Sequence, residues 1–88
     1  MNTVLMYCRD TCPYCIRAEA LLTERGATIE KIRIDEQPEQ RAVMIQRTGR
    51  HTVPQIFIGD THVGGCDDLM TLDRAGELLP LLNNETAN

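Results

Sequence analysis

The 88-residue chain has no tryptophan, one phenylalanine and two tyrosines, so its core has to be aliphatic. Nothing in it approaches the roughly eighteen apolar residues of a membrane-spanning helix. The apolar run near the start, residues 4–7, is too short for a signal-peptide core, and no basic segment precedes it. Long basic runs are missing as well: nine Lys and Arg are scattered among 13 acidic residues, and the formal net charge is −4. That balance argues against nucleic acid or an anionic membrane surface as a partner. There are no internal repeats and no low-complexity segment. The expectation is a monomer in a reducing cytoplasm, with one domain over 1–82 and a polar tail over 83–88, "NNETAN".

What is present is an alternation of short strand and helix patterns. Residues 3–8 form a nearly continuous apolar run, as in a central strand covered on both faces. Pro13 suits the first position of a helix, which Tyr14, Ala18, Leu21 and Leu22 continue and Gly26 stops. Residues 29–35 read as a second strand, and Pro38 opens a second helix through Val43 and Met44 to Gly49. Residues 54–65, "PQIFIGDTHVGG", read as a hairpin turning at Gly59 and Asp60. Asp67 or Asp68 can cap a final helix whose Leu69, Leu72, Leu78 and Leu79 face inward. The order β-α-β-α-β-β-α predicts a four-stranded mixed sheet with helices on both faces, its first two strands parallel through a right-handed crossover.

Chemistry concentrates in "TCPYC", residues 11–15. Cys12 is the expected N-cap of the helix that Pro13 opens, and Cys15 lies one turn inside it. Unpaired N–H groups and a partial positive charge at a helix start favour a thiolate, and Arg9 adds a cation nearby. Cys12 is therefore the expected nucleophile and Cys15 the resolving thiol. Structural zinc would need a second C-x-x-C or a His pair, whereas Cys8, Cys66, His51 and His62 occur singly. A structural disulfide across so short a loop would remove little unfolded-state entropy. Cys8 reads as a small buried hydrophobe.

"CPYC" opening a helix after a first strand, then "TVP" at 52–54 and "GGCDD" at 64–68, is similar to the dithiol glutaredoxins, from Val4 to about Leu82. The resemblance implies a thioredoxin-like fold and glutathione-dependent reduction of protein disulfides and glutathione mixed disulfides. Glutathione would be a co-substrate, with no metal or organic cofactor. In that reading Pro54 is cis, and Val53 offers its backbone to the peptide backbone of glutathione. The amides after Gly64 and Gly65, with Asp67 and Asp68, would seat the γ-glutamyl carboxylate and ammonium. Arg9 would meet the glycine carboxylate, Tyr14 would wall the groove, and Thr52, Gly65 and Cys66 would add contacts. Cys66 would also be open to oxidation or glutathionylation. Arg17, Arg41 and Arg47 read as a solvated face. Implied partners are disulfide-bonded or glutathionylated proteins, with ribonucleotide reductase among them. Three rivals are a redoxin served by thioredoxin reductase, an iron–sulfur carrier, typical of relatives with "CGFS", and a catalytically silent binding module, which an unreactive Cys12 would support.

Overall fold

The computed structural model describes residues 2–83; most of the expected tail, 84–88, lies outside the described residues. The elements run β1 (Val4–Cys8), α1 (Pro13–Glu24), β2 (Ile29–Arg33), α2 (Pro38–Thr48), β3 (Gln55–Ile58), β4 (Thr61–Gly64), α3 (Cys66–Arg74) and α4 (Leu78–Leu82). The sheet order is β2-β1-β3-β4. β1 pairs parallel with β2 and antiparallel with β3, which pairs antiparallel with β4. This is the mixed four-stranded sheet of a thioredoxin-like fold.

Alternation along the strands divides the apolar residues between two faces. Val4, Met6, Cys8, Ile56 and Ile58 pack with Ala18, Leu22, Leu69, Leu78 and Leu82, so α1, α3 and α4 cover one face. Against the expected aliphatic core, the aromatic Tyr7 and Phe57 are buried here with Met44, partly buried Leu5, Ile32 and Ile45 beside them, so α2 covers the other face. β1 lies between β2 and β3, so nearly all of it is buried, as its apolar run predicts.

Pro13 and Pro38 each stand at the start of a helix. α1 ends as expected at Gly26, whose φ of +87° is costly for other residues. The expected final helix is in fact two. Gly76, at φ +76°, lets Glu77 N–H return to the Leu72 carbonyl at 3.1 Å and closes α3. The leucine spacing continues across that break and conceals it, so Leu78 is fully buried while Leu79 is 47% exposed. Val43 is also exposed, and in α2 only Met44 is fully covered. Among the described residues no helix is long and apolar enough to cross a membrane.

Candidate active site

The loop from β1 to α1 carries the cysteine pair. Thr11 has φ +54°, a left-handed conformation costing a β-branched residue on the order of 1–2 kcal/mol. Two contacts brace the loop against the end of β2. The Asp10 N–H donates to Asp35 Oδ2 at 3.2 Å, and Arg33 grips Asp35 through Nη2 at 2.7 Å and Nε at 3.2 Å. The Arg33 fork holds the Asp35 carboxyl down at about 2. Beyond the turn Cys12 takes an extended conformation as N-cap of α1, and its sulfur accepts a hydrogen bond from the Cys15 N–H at 3.2 Å. Both thiols are free and nearly covered, 6% and 4% exposed. Burial first, and then the side-chain hydrogen bond to Cys12, push the Cys15 thiol up to about 12. The pair is thus asymmetric: the outer sulfur receives a donor, and the inner one keeps its proton.

Two adjoining grooves flank this loop. One, of about 310 Å³, is lined by Tyr14, Arg50, Thr52, Val53, Pro54, Gly65, Cys66, Asp67 and Asp68. The other, of about 260 Å³, lies among Arg9, Arg41, His51 and Ile34 and shares Thr52 and Val53 with the first. Every noncysteine site residue expected from the sequence therefore lines one groove or both. The peptide bond from Val53 to Pro54 is cis, as the resemblance implies. Tyr14 is 56% exposed, with the Arg17 guanidinium 5.9 Å from its ring centroid.

The "GGCDD" corner differs in detail from expectation. The N-cap of α3 is Gly65, not an aspartate, and Asp68 folds back to accept the Gly65 N–H through Oδ2 at 2.9 Å. The same oxygen accepts from Arg50 Nη1 at 2.9 Å. The Gly65 N–H, then Arg50, hold the Asp68 carboxyl below its ordinary value. Asp68 thus braces the corner, and Asp67 stands exposed on the groove.

Arg50 and His51 are groove residues that sequence reasoning missed, and Arg41, read there as part of a solvated face, lines the smaller groove. Arg50 and His51 directly precede "TVP", a positional signal that could have found them. Arg47 is no idle surface charge: it donates to the Tyr7 hydroxyl at 2.8 Å and lies 4.0 Å from the Phe57 ring centroid. Cys8 is buried in the core as expected, and burial raises its pKa. Cys66 touches the groove yet is only 4% exposed, and burial raises its pKa too, which opposes a reactive thiolate there. Among the described residues no three His, Cys, Asp or Glu side chains come together as a metal site.

Comparison with known proteins gives these features a family. The profile described as Glutaredoxin matches residues 4–63, more than half of the chain. Glutaredoxin 3 of Escherichia coli (strain K12) is 52% identical over 82 residues, which cover 93% of this chain and 99% of that one. A glutaredoxin of Brucella melitensis, solved in solution, is 54% identical, with a TM-score of 0.82 over 93% of this chain and 89% of its own. The crystal structure of a buckwheat glutaredoxin–glutathione complex superimposes with a TM-score of 0.87 at 36% identity, covering 94% of this chain and 78% of that one. The chain belongs to the glutaredoxin family and is a glutathione-dependent thiol–disulfide oxidoreductase.

Proposed function

We propose that Cys12 is the nucleophile and Cys15 the resolving thiol, and that glutathione lies along the two grooves with its sulfur toward Cys12. The observation that carries this reading is the hydrogen bond from the Cys15 N–H to the Cys12 sulfur at the mouth of α1, beside a Cys15 thiol that holds its proton. A thiolate at Cys12 attacks one sulfur of a substrate disulfide, forms a mixed disulfide and expels the other sulfur as a thiolate. With a protein dithiol substrate, Cys15 gives up its proton and attacks Cys12, releasing the reduced product and leaving the Cys12–Cys15 disulfide. One glutathione thiolate then opens that disulfide at Cys12, and a second removes the first as glutathione disulfide. A glutathionylated protein needs Cys12 alone.

In the larger groove, the Val53 backbone pairs with the glutathione peptide backbone. The first amides of α3 take the γ-glutamyl carboxylate, and Asp67 takes its ammonium. Tyr14 forms the outer wall, Thr52, Pro54, Gly65 and Cys66 complete the lining, and Asp68 keeps the corner in shape. Arg9, with Arg41, meets the glycine carboxylate in the smaller groove. The physiological acceptors would be disulfide-cycling enzymes such as ribonucleotide reductase and glutathionylated proteins, met by a monomer in a reducing cytoplasm. A coupled assay with glutathione, glutathione reductase and NADPH tests the roles. Cys12→Ser should abolish turnover of every substrate, whereas Cys15→Ser should keep small glutathione mixed disulfides and lose most protein disulfide reduction. Wild-type rates with mixed disulfides in both variants would refute the assignment.

A further inference from the structure

Under α2 the sheet carries a polar chain that the reaction just described does not use. Gln55, the residue after Pro54, is a fully buried polar side chain. Its amide is engaged at both ends. Nε2 donates to the Thr52 carbonyl at 3.1 Å and approaches Thr52 Oγ1 at 3.4 Å, while Oε1 lies 2.8 Å from His62 Nε2. These contacts determine the hydrogens. A backbone carbonyl only accepts, so the amide nitrogen must face Thr52. The amide oxygen then faces His62, whose Nε2 must carry the hydrogen. The ring is itself held: it stacks on Phe57 with centroids 4.9 Å apart and planes 30° apart.

We propose that Gln55 and His62 are positioning residues for glutathione. The ring orients the amide, the amide holds Thr52, and Thr52 keeps the wall it forms with Val53 at the junction of the two grooves. The proposal rests on the assignment of that wall to glutathione. Nε2 keeps its hydrogen in both charge states of His62, so the ring titrates at Nδ1 and the link survives that titration. The charged and titratable groups around the ring are Arg47 on α2, Arg50 after it and Asp68 on α3. Tyr7 on β1, opposite Gln55 in the register, has its hydroxyl turned to Arg47.

Gln55→Glu provides a test that a purely structural role would not pass. The substitution keeps size and the His62 half of the link, but when ionised it sets an oxygen against the Thr52 carbonyl. Once protonated it regains a donor there, and burial shifts that protonation upward from the ordinary glutamate range. In the coupled assay, KM for glutathione should rise about tenfold at pH 8 and return toward wild type at pH 6, at little change in kcat. Alkylation of Cys12 by iodoacetamide should keep its wild-type rate. Arg9→Ala, run alongside, tests the groove itself. A wild-type KM in Gln55→Glu with a raised KM in Arg9→Ala overturns the relay and leaves the groove standing. A wild-type KM in both overturns the groove and the relay with it. Loss of kcat and KM together, equal at both pH values, would mean a structural role only and also overturns the proposal. Should Gln55→Glu not fold, His62→Phe decides: it keeps the stack and removes the donor, so KM should rise about threefold at both pH values, and an unchanged KM refutes the relay.

Discussion

Replacing Gly64 by alanine should damage the corner of the larger groove in a way that one further substitution exposes. Gly64 ends β4 at φ +115°, a backbone region that side chains rarely adopt. A Cβ there would run into the Asp68 carboxylate and come within 3.1 Å of Arg50 Nη1. The backbone strain costs about 1–3 kcal/mol. Displacing Asp68 removes its bond to the Gly65 N–H, worth about 1 kcal/mol at a helix start, and its half-exposed pair with Arg50, worth well under about 1 kcal/mol. Gly64→Ala should therefore cost about 2–5 kcal/mol, seen as a fall in Tm of at least about 8 °C for a domain of this size. Asp68→Ala alone should cost about 1–2 kcal/mol. In the double variant the Asp68 bonds are lost only once, so its cost should fall short of the summed single costs by about 1–2 kcal/mol. Urea unfolding of all four proteins measures the cycle. Strict additivity would mean that the alanine does not act through Asp68, and the account of this corner would be wrong.

Three further outcomes follow from the geometry. Leu78→Ala should cost about 2–5 kcal/mol in unfolding experiments and Leu79→Ala under about 1, because only the first is buried; equal costs would mean that Leu79 is buried as well. Asp35 is held at about 2 against an ordinary 3.8, so its ionised form favours the folded state at neutral pH. That contribution is present above pH 3.8 and lost as pH falls through 2, so Asp35→Asn should flatten the stability profile over that window, followed by thermal unfolding from pH 2 to 5. Iodoacetamide at neutral pH should label Cys12 first in the reduced protein, leaving Cys8, Cys15 and Cys66 unmodified until denaturant is added, as mass spectrometry of the peptides would report.

The features legible in the sequence are those whose causes lie within a few residues of chain. Pro13 and Pro38 at helix starts, Gly26 at a helix stop, the apolar run of β1 and Cys12 at an N-cap are decided locally. Gly76 is equally local, but the leucine period hides it, and the chain there breaks into two helices, α3 ending at Arg74 and α4 starting at Leu78. Partners distant in sequence could not be read. Nothing in "GGCDD" says that Asp68 will be occupied by Arg50, 18 residues earlier, nor does "QIFI" say that Gln55 will lie between Thr52 and a histidine on the next strand. Arg47 looked like a surface charge because its stacking on Phe57 depends on how α2 crosses the sheet.

Sheet register is the physical link between the local and the distant. The antiparallel match of Tyr7 with Gln55 sets the end of β1, and so the cysteine loop, beside the start of β3 and its cis proline. On the other side, β4 pairs Phe57 with His62 but Ile56 with Gly64, so Val63 is an extra residue in the ladder. Without that bulge Val63 would face Ile56 and Gly64 would face Gln55. Because side chains alternate, a one-residue step also turns each of them to the opposite face. The chain entering α3 at Cys66 would then leave β4 from a different step of the ladder. The three motifs, far apart along the chain, meet because β3 runs antiparallel to both β1 and β4, which sets the end of β1, the start of β3 and the end of β4 at the same end of the sheet.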